Sequence, residues 1–168
     1  VVIIEETYAK SAVLKKENEK ENIGYIYLPK FYADFNDKQG RKCSEDIRKE
    51  LIKLRDENIS GLILDLRDNG GGSLQDVVDI MGLFITTGPV VQVKSRGGMP
   101  YVLADNDPSV YYDGKLVVMV NEISASASEI LAAAVQDYNR GIVVGSTSTF
   151  GKGTVQRVID LDAYLNSS

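Results

Sequence analysis

The apolar and polar positions alternate with two different periods along the chain. Ile23 to Leu28, Ile-Gly-Tyr-Ile-Tyr-Leu, is β-branched and aromatic and predicts a strand that ends at Pro29. From Ser44 to Asn58 the spacing changes, and Ile47, Leu51, Ile52 and Leu54 fall on one helical face. Ser44 is the expected N-cap of that helix, with Glu45 and Asp46 in its first turn. Gly61 to Leu66 is a near-continuous apolar run, the pattern of a buried strand in a parallel sheet. A turn follows at Asp68-Asn69-Gly70-Gly71-Gly72. The helical period then returns from about Ser73 to Phe84, with Leu74, Val77, Val78 and Met81 inward.

The second half repeats this grammar. Val90 to Val93 predicts a strand, Gly97-Gly98 with Pro100 a loop, and Leu116 to Val120 another buried strand. Asn121 to Ser128 leads into a helix reaching about Tyr138. Ile142 to Val144 reads as a further buried strand, and Thr154 to Leu161 alternates as one more. At the start, Val1 to Glu6 predicts a short apolar strand, and Lys15 to Asn22 a polar stretch. Strands alternating with helices imply parallel βαβ units with right-handed crossovers, hence one α/β domain.

Composition narrows the chemistry. The chain has 168 residues, a net charge of −5 from 19 Lys+Arg and 24 Asp+Glu, and neither histidine nor tryptophan. Without histidine there is no Ser-His-Asp triad, no Cys-His dyad and no His-containing zinc site. The lone Cys43 excludes an internal disulfide and an all-cysteine zinc site. A base acting near neutral pH is then a carboxylate or a lysine. The acidic balance gives no general attraction for nucleic acid. No apolar run approaches the roughly 18 residues of a membrane span. The chain opens Val1-Val2-Ile3-Ile4 without a methionine, as an internal fragment would.

In parallel α/β sheets, function collects beyond the carboxyl ends of the strands. Three loops qualify. Arg67 to Ser73 contains three consecutive glycines, which let backbone N–H groups approach a ligand closely. Ser124-Ala125-Ser126-Ala127-Ser128-Glu129 opens a helix, whose first N–H groups face any developing negative charge. Its serines exceed what one N-cap needs, and Glu129 complements the helix dipole. The third loop, Gly145 to Thr154, nearly matches a phosphate-binding loop. However, five residues separate Gly145 from Gly151, and Gly153 stands where a magnesium-binding hydroxyl is needed. Lys152, between two glycines, is left as a candidate base.

Taken in order, Asp65-Leu-Arg-Asp-Asn-Gly-Gly-Gly72, Ser124-Ala-Ser-Ala-Ser-Glu-Ile130 and Gly151-Lys-Gly-Thr-Val-Gln156 resemble the C-terminal processing, or tail-specific, serine peptidases. Gly82 to Gly88 and Ala134 to Tyr138 resemble the same family. The resemblance implies a crotonase/ClpP-like α/β core and a Ser-Lys dyad that needs no cofactor and no metal. It places the nucleophile on Ser126, the general base on Lys152, and a lysine-orienting residue on Gln156. It places the oxyanion hole on the N–H of Ala127 and that of Gly71 or Gly72. Asp137 also matches a polar family position. Eleven residues of helix rise about 16 Å, so Asp137 cannot touch Ser126 and is expected to position the core. Four residues of ideal strand span about 13 Å, so contact between Lys152 and Gln156 requires a bend.

The resemblance also implies the setting. Residues 1–22 would be a strand and polar segment following a PDZ module that this chain lacks, and 23–168 the catalytic core. Substrates would be unfolded or tagged proteins recognised through their C-terminal tails, in a bacterial periplasm or cell envelope. The alternative is a non-catalytic ligand-binding module on the same fold, a role that needs neither Ser126 nor Lys152.

Overall fold

The computed structural model describes residues 8–15, 21–34, 37, 39–156 and 161. Five strands form the main sheet: β1 (Lys10–Lys15), β2 (Asn22–Tyr27), β3 (Ile59–Asp65), β6 (Lys115–Val120) and β7 (Ile142–Gly145), side by side in the order β1-β2-β3-β6-β7. The neighbours from β2 to β7 are parallel, and β1 runs antiparallel along β2. A separate antiparallel pair joins β4 (Gly88–Val93) to β5 (Tyr101–Asp105).

Three helices link the parallel strands: α1 (Cys43–Asp56), α2 (Leu74–Gly82) and α3 (Ala127–Asp137). Each parallel strand is added on the same side of the one before. Right-handed crossovers therefore put all three helices on one face of the sheet, with α2 packed between α1 and α3. The strand burial follows from this. In β6, Leu116, Val118 and Val120 are buried towards the helices, while Val117 and Met119 on the other face are only partly covered. Leu62, Leu64, Ile47, Leu51, Val77, Met81 and Leu131 belong to the same continuous core. Among the described residues no helix is long and apolar enough to cross a membrane.

The predicted helices are present, and the buried strands expected over Gly61 to Leu66 and Leu116 to Val120 are β3 and β6, with ends shifted by a few residues. Ile142 to Val144 does form a strand, β7, but it is the outer strand of the sheet and largely exposed, not buried. The fold is mixed α/β with a mostly parallel sheet. Two strands were not anticipated, β1 and β5, both at sheet edges. Ser44 is not the N-cap of α1: that position is Lys42, and the Ser44 hydroxyl donates instead to Asp76 Oδ1 on α2 at 2.7 Å. Ser73 does cap α2, accepting from the Asp76 N–H at 3.2 Å. The strand expected over 1–6, most of the polar stretch 15–22 and residues 157–160 of the strand expected over 154–161 lie outside the described residues. Thr154 to Gln156, which are described, are neither strand nor helix.

Candidate active site

The three loops meet beyond the carboxyl ends of β3, β6 and β7, and Asn69 ties two of them together. Its buried side chain donates to Leu28 O at 2.8 Å and accepts from the Gly71 N–H at 2.9 Å. Its carbonyl accepts from the Ala125 N–H at 3.0 Å and the Ser128 hydroxyl at 2.8 Å. Asp68 and Asn121 brace the same two loops through a reciprocal pair of hydrogen bonds, 3.0 and 2.8 Å.

The glycines make this approach possible. A Cβ on Gly72 would sit 2.0 Å from Phe31 O, and one on Gly71 would sit 2.8 Å from the Cβ of Ser126. Both have positive φ, +97° at Gly71 and +147° at Gly72, so each position is closed to other residues twice over.

The three serines divide their labour. Ser124 is buried, donating to Leu66 O at 2.8 Å and accepting from the Asn121 N–H at 2.9 Å. Ser128 is buried on Asn69. Ser126 alone opens to the cleft, in a backbone conformation of φ 56° and ψ −112° that a side-chain-bearing residue rarely adopts. Such a turn from strand to helix thrusts a hydroxyl outward ahead of a helix N-terminus. The Ala127 and Gly72 N–H groups have no hydrogen-bond partner among the described residues, whereas Gly71 has committed its N–H to Asn69. Of the two glycines left open by the sequence, Gly72 is the one with a donor to spare.

The lysine loop is attached through Glu129. One carboxylate oxygen accepts from the Thr149 hydroxyl at 2.7 Å and the Gly151 N–H at 2.6 Å. The other accepts from the N–H groups of Ser126 at 2.8 Å and Lys152 at 2.9 Å. Partial burial would raise the pKa of this carboxyl, but the four hydrogen bonds outweigh it and hold the group below the ordinary range. Phe150 N–H also donates to Ser124 O at 3.0 Å. The Lys152 side chain is half-buried, and its amine donates to Gln156 Oε1 at 3.2 Å. The bend that this contact requires is present, because residues 151–156 are not a strand. Among the described residues no hydrogen bond joins Lys152 to Ser126.

Ser126, Ala127, Gly71, Gly72, Lys152 and Gln156 line one cleft of about 770 Å³, with Leu74, Ile130, Val91 and Val155 as apolar wall. Asp137 is elsewhere. It is exposed at the end of α3, beside Pro89, Val90 and Tyr138, and takes no part in the cleft. Asn69 and Glu129 were not recognised as site residues from the sequence. For Glu129 a signal existed, since Ser126-x-x-Glu129 has the capping-box spacing. For Asn69 the local contact to Gly71 is an ordinary turn, and its other partners, Leu28, Ala125 and Ser128, are distant in the chain.

The chain belongs to peptidase family S41, whose match runs over residues 22–167. Among its relatives is the tail-specific protease of Haemophilus influenzae, 48% identical over 148 residues, which covers 84% of this chain and 20% of that protein. The carboxyl-terminal-processing protease of Picosynechococcus is 37% identical over 164 residues, covering 96% of this chain and 37% of the relative. Among solved structures, the photosystem II D1 C-terminal processing protease superposes with a TM-score of 0.74 at 28% identity, covering 90% of this chain and 39% of that one. The chain thus spans well under half the length of these relatives.

Proposed function

We propose that this chain is the catalytic core of a serine endopeptidase with a Ser-Lys dyad. Ser126 Oγ attacks the scissile carbonyl carbon while the neutral Lys152 amine takes its proton. The tetrahedral oxyanion is held by the Ala127 and Gly72 N–H groups. Loss of one such donor typically raises the barrier by about 2.7–4 kcal/mol. Collapse breaks the C–N bond, and Lys152 returns the proton to the departing amine. Water, deprotonated by Lys152, then hydrolyses the ester on Ser126. Gln156 orients the lysine.

What supports this reading is the coincidence, in one cleft, of a strained, partly exposed serine, two N–H groups unpartnered among the described residues and a lysine whose backbone is tethered by Glu129. Lys152 must swing from Gln156 towards Ser126 to act. In the parent protein, substrates engaged through their C-terminal tails by a PDZ module would favour that swing, and the setting would be a bacterial periplasm or cell envelope. Asp137 would serve the outer frame of the core and not the chemistry.

A peptidyl diphenyl phosphonate tests the dyad by modifying an activated serine covalently. It is expected to label Ser126, seen by intact mass and peptide mapping, and to label the Lys152→Ala variant at least a hundredfold more slowly. Labelling that is indifferent to Lys152 would remove the lysine from the mechanism. Absence of labelling, in the chain and in its parent protein, would favour the non-catalytic alternative.

A further inference from the structure

Three charged residues border the cleft, and one of them has no use in the reaction above. They are Lys30, Asp68 and Lys152, two cations and one carboxylate, in a chain with 19 Lys+Arg against 24 Asp+Glu. Lys152 donates to Gln156, and the Asp68 carboxylate accepts from the Asn121 side-chain amide at 2.8 Å. The exposed Lys30 ammonium has neither a hydrogen bond nor an ion pair among the described residues. By contrast, Arg41, Lys49, Lys53 and Arg67 each reach a carboxylate. The main chain beneath Lys30 is fixed all the same. Phe31, the next residue, is buried and straps the glycine turn. Its N–H donates to Gly71 O at 3.1 Å, and its carbonyl accepts from the Ser73 N–H at 2.8 Å. The Lys30 carbonyl accepts from the Tyr32 N–H at 3.0 Å. A free cation thus stands on a rigid base, one residue from the strap that holds Gly72.

We propose that Lys30 selects a carboxylate on the substrate, so that the cleft favours peptide segments with an acid beside the glycine turn. The inference rests on the peptidase reading above and names the class of substrate for that site. When Lys152 acts as the base its amine is neutral, and Lys30 is then the only cation bordering the cleft. An exposed ammonium gains little from a carboxylate in open water. Apolar walls strengthen such a charge, because they focus its field on whatever occupies the cleft. Leu74, Ile130, Val91 and Val155 supply those walls. A lysine at one fixed place favours an acid at one or two neighbouring substrate positions. Attraction between whole molecules would favour it everywhere alike, and here that long-range term is repulsive, since the chain is itself acidic. Asp68 repels an acid placed against it, which restricts the favoured positions further. An Asp or Glu side chain and a free chain end present the same carboxylate to Lys30.

The test uses the 168-residue chain bearing Ser126→Ala, which cannot cleave, and alanine- and valine-rich octapeptides carrying an uncharged fluorophore. In one set, with amidated ends, a single Glu moves along the peptide and is compared with Gln at each place. A second set has no Glu and ends in a free carboxylate. Binding is read by anisotropy. In about 20 mM salt, Glu at the favoured positions should bind about fivefold tighter than Gln, and in about 0.5 M salt less than twofold tighter. Lys30 is exposed, so its variants keep the core. Lys30→Gln should abolish the preference and leave the Gln peptides within about twofold, and Lys30→Glu should turn it towards Lys at the same positions. Lys115→Gln removes the same charge at the amino end of β6 and should keep the preference. A preference shown by the free chain end and not by Glu assigns the carboxylate to a substrate terminus. Equal binding of Glu, Gln and free-acid peptides, a preference that survives Lys30→Gln, or no binding would overturn the proposal. Its failure is separable from that of the dyad. Phosphonate labelling of Ser126 without any such preference rejects acid selection alone, whereas a Lys30-dependent preference without labelling leaves an acid-selective peptide groove and rejects the chemistry.

Discussion

The loop carrying Ser126 is fixed by buried partners just beyond β3 and in the glycine turn, whereas the loop carrying Lys152 is exposed and hangs mainly from one carboxylate. Ser124, Ser128 and Asn69 are all buried, and their partners are backbone groups of the core. From Gly145 to Gln156 most residues are exposed, with Thr149 and Lys152 half-covered on the side that meets Glu129. The contrast gives the two halves of the proposed dyad different physical roles. The serine and its neighbouring N–H groups are organised before substrate arrives, so they cost no rearrangement during reaction. The lysine is tethered at its backbone and free at its amine, so alignment is the adjustable step.

The comparison breaks most clearly at Asn69. Asn69→Ala leaves the Leu28 carbonyl and the Gly71 N–H buried and unpaired, which should cost roughly 2–4 kcal/mol. Urea unfolding should show a lower midpoint at unchanged m-value. A change under 1 kcal/mol would mean that the nucleophile loop does not depend on this clamp.

Glu129→Gln should cost less, about 1 kcal/mol, because the site is partly open to water. Its effect should fall on chemistry, with Ser126 labelling slowed about tenfold. Acid sharpens the same point without mutation. The Glu129 carboxyl is depressed in the folded state, so its stabilisation is complete above the ordinary glutamate value of about 4.3 and is lost as pH falls through the lower folded value. The amide resonances of Ser126, Gly151 and Lys152 should therefore move together, with a midpoint below that value. Resonances around Asn69, which has no proton to gain, should stay still.

The smallest effect is expected at Gln156. Gln156→Ala removes one exposed hydrogen bond and should alter stability by no more than about 0.5 kcal/mol. If it orients Lys152, turnover should fall several-fold with the substrate KM unchanged. A raised KM with unchanged turnover would make Gln156 a substrate contact instead.

Much of this was legible beforehand where apolar runs are long. β3 and β6 are buried strands of a parallel sheet, and their patterns, Gly61 to Leu66 and Leu116 to Val120, are nearly continuous. β1 and β5 escape the sequence reading because each is an edge strand with no fully buried position, so neither displays an alternation of core and solvent side chains. Ser44 has the chemistry of a cap, yet Asp76, 32 residues away, takes its hydroxyl, a competition invisible to local reasoning. The sequence singles out Ser126, Lys152 and Ala127, with Gly71 or Gly72, as candidates, because residue type and order carry that information, and these residues line one cleft. Their supports are not singled out, since Asn69 and Glu129 each have one local partner but join the loops through others brought near only by the fold.

The backbone of Ser126 has a consequence for how this chain would drift under selection. A residue with φ 56° and a side chain is a standing conflict between foldability and use, and glycine at that position would relieve it. In a library screened for stability alone, Ser126→Gly should therefore be enriched, along with substitutions in the lysine loop, where few core contacts resist change. In a library screened for turnover both should vanish. The position where the two screens disagree most would mark the reactive centre with no knowledge of its chemistry.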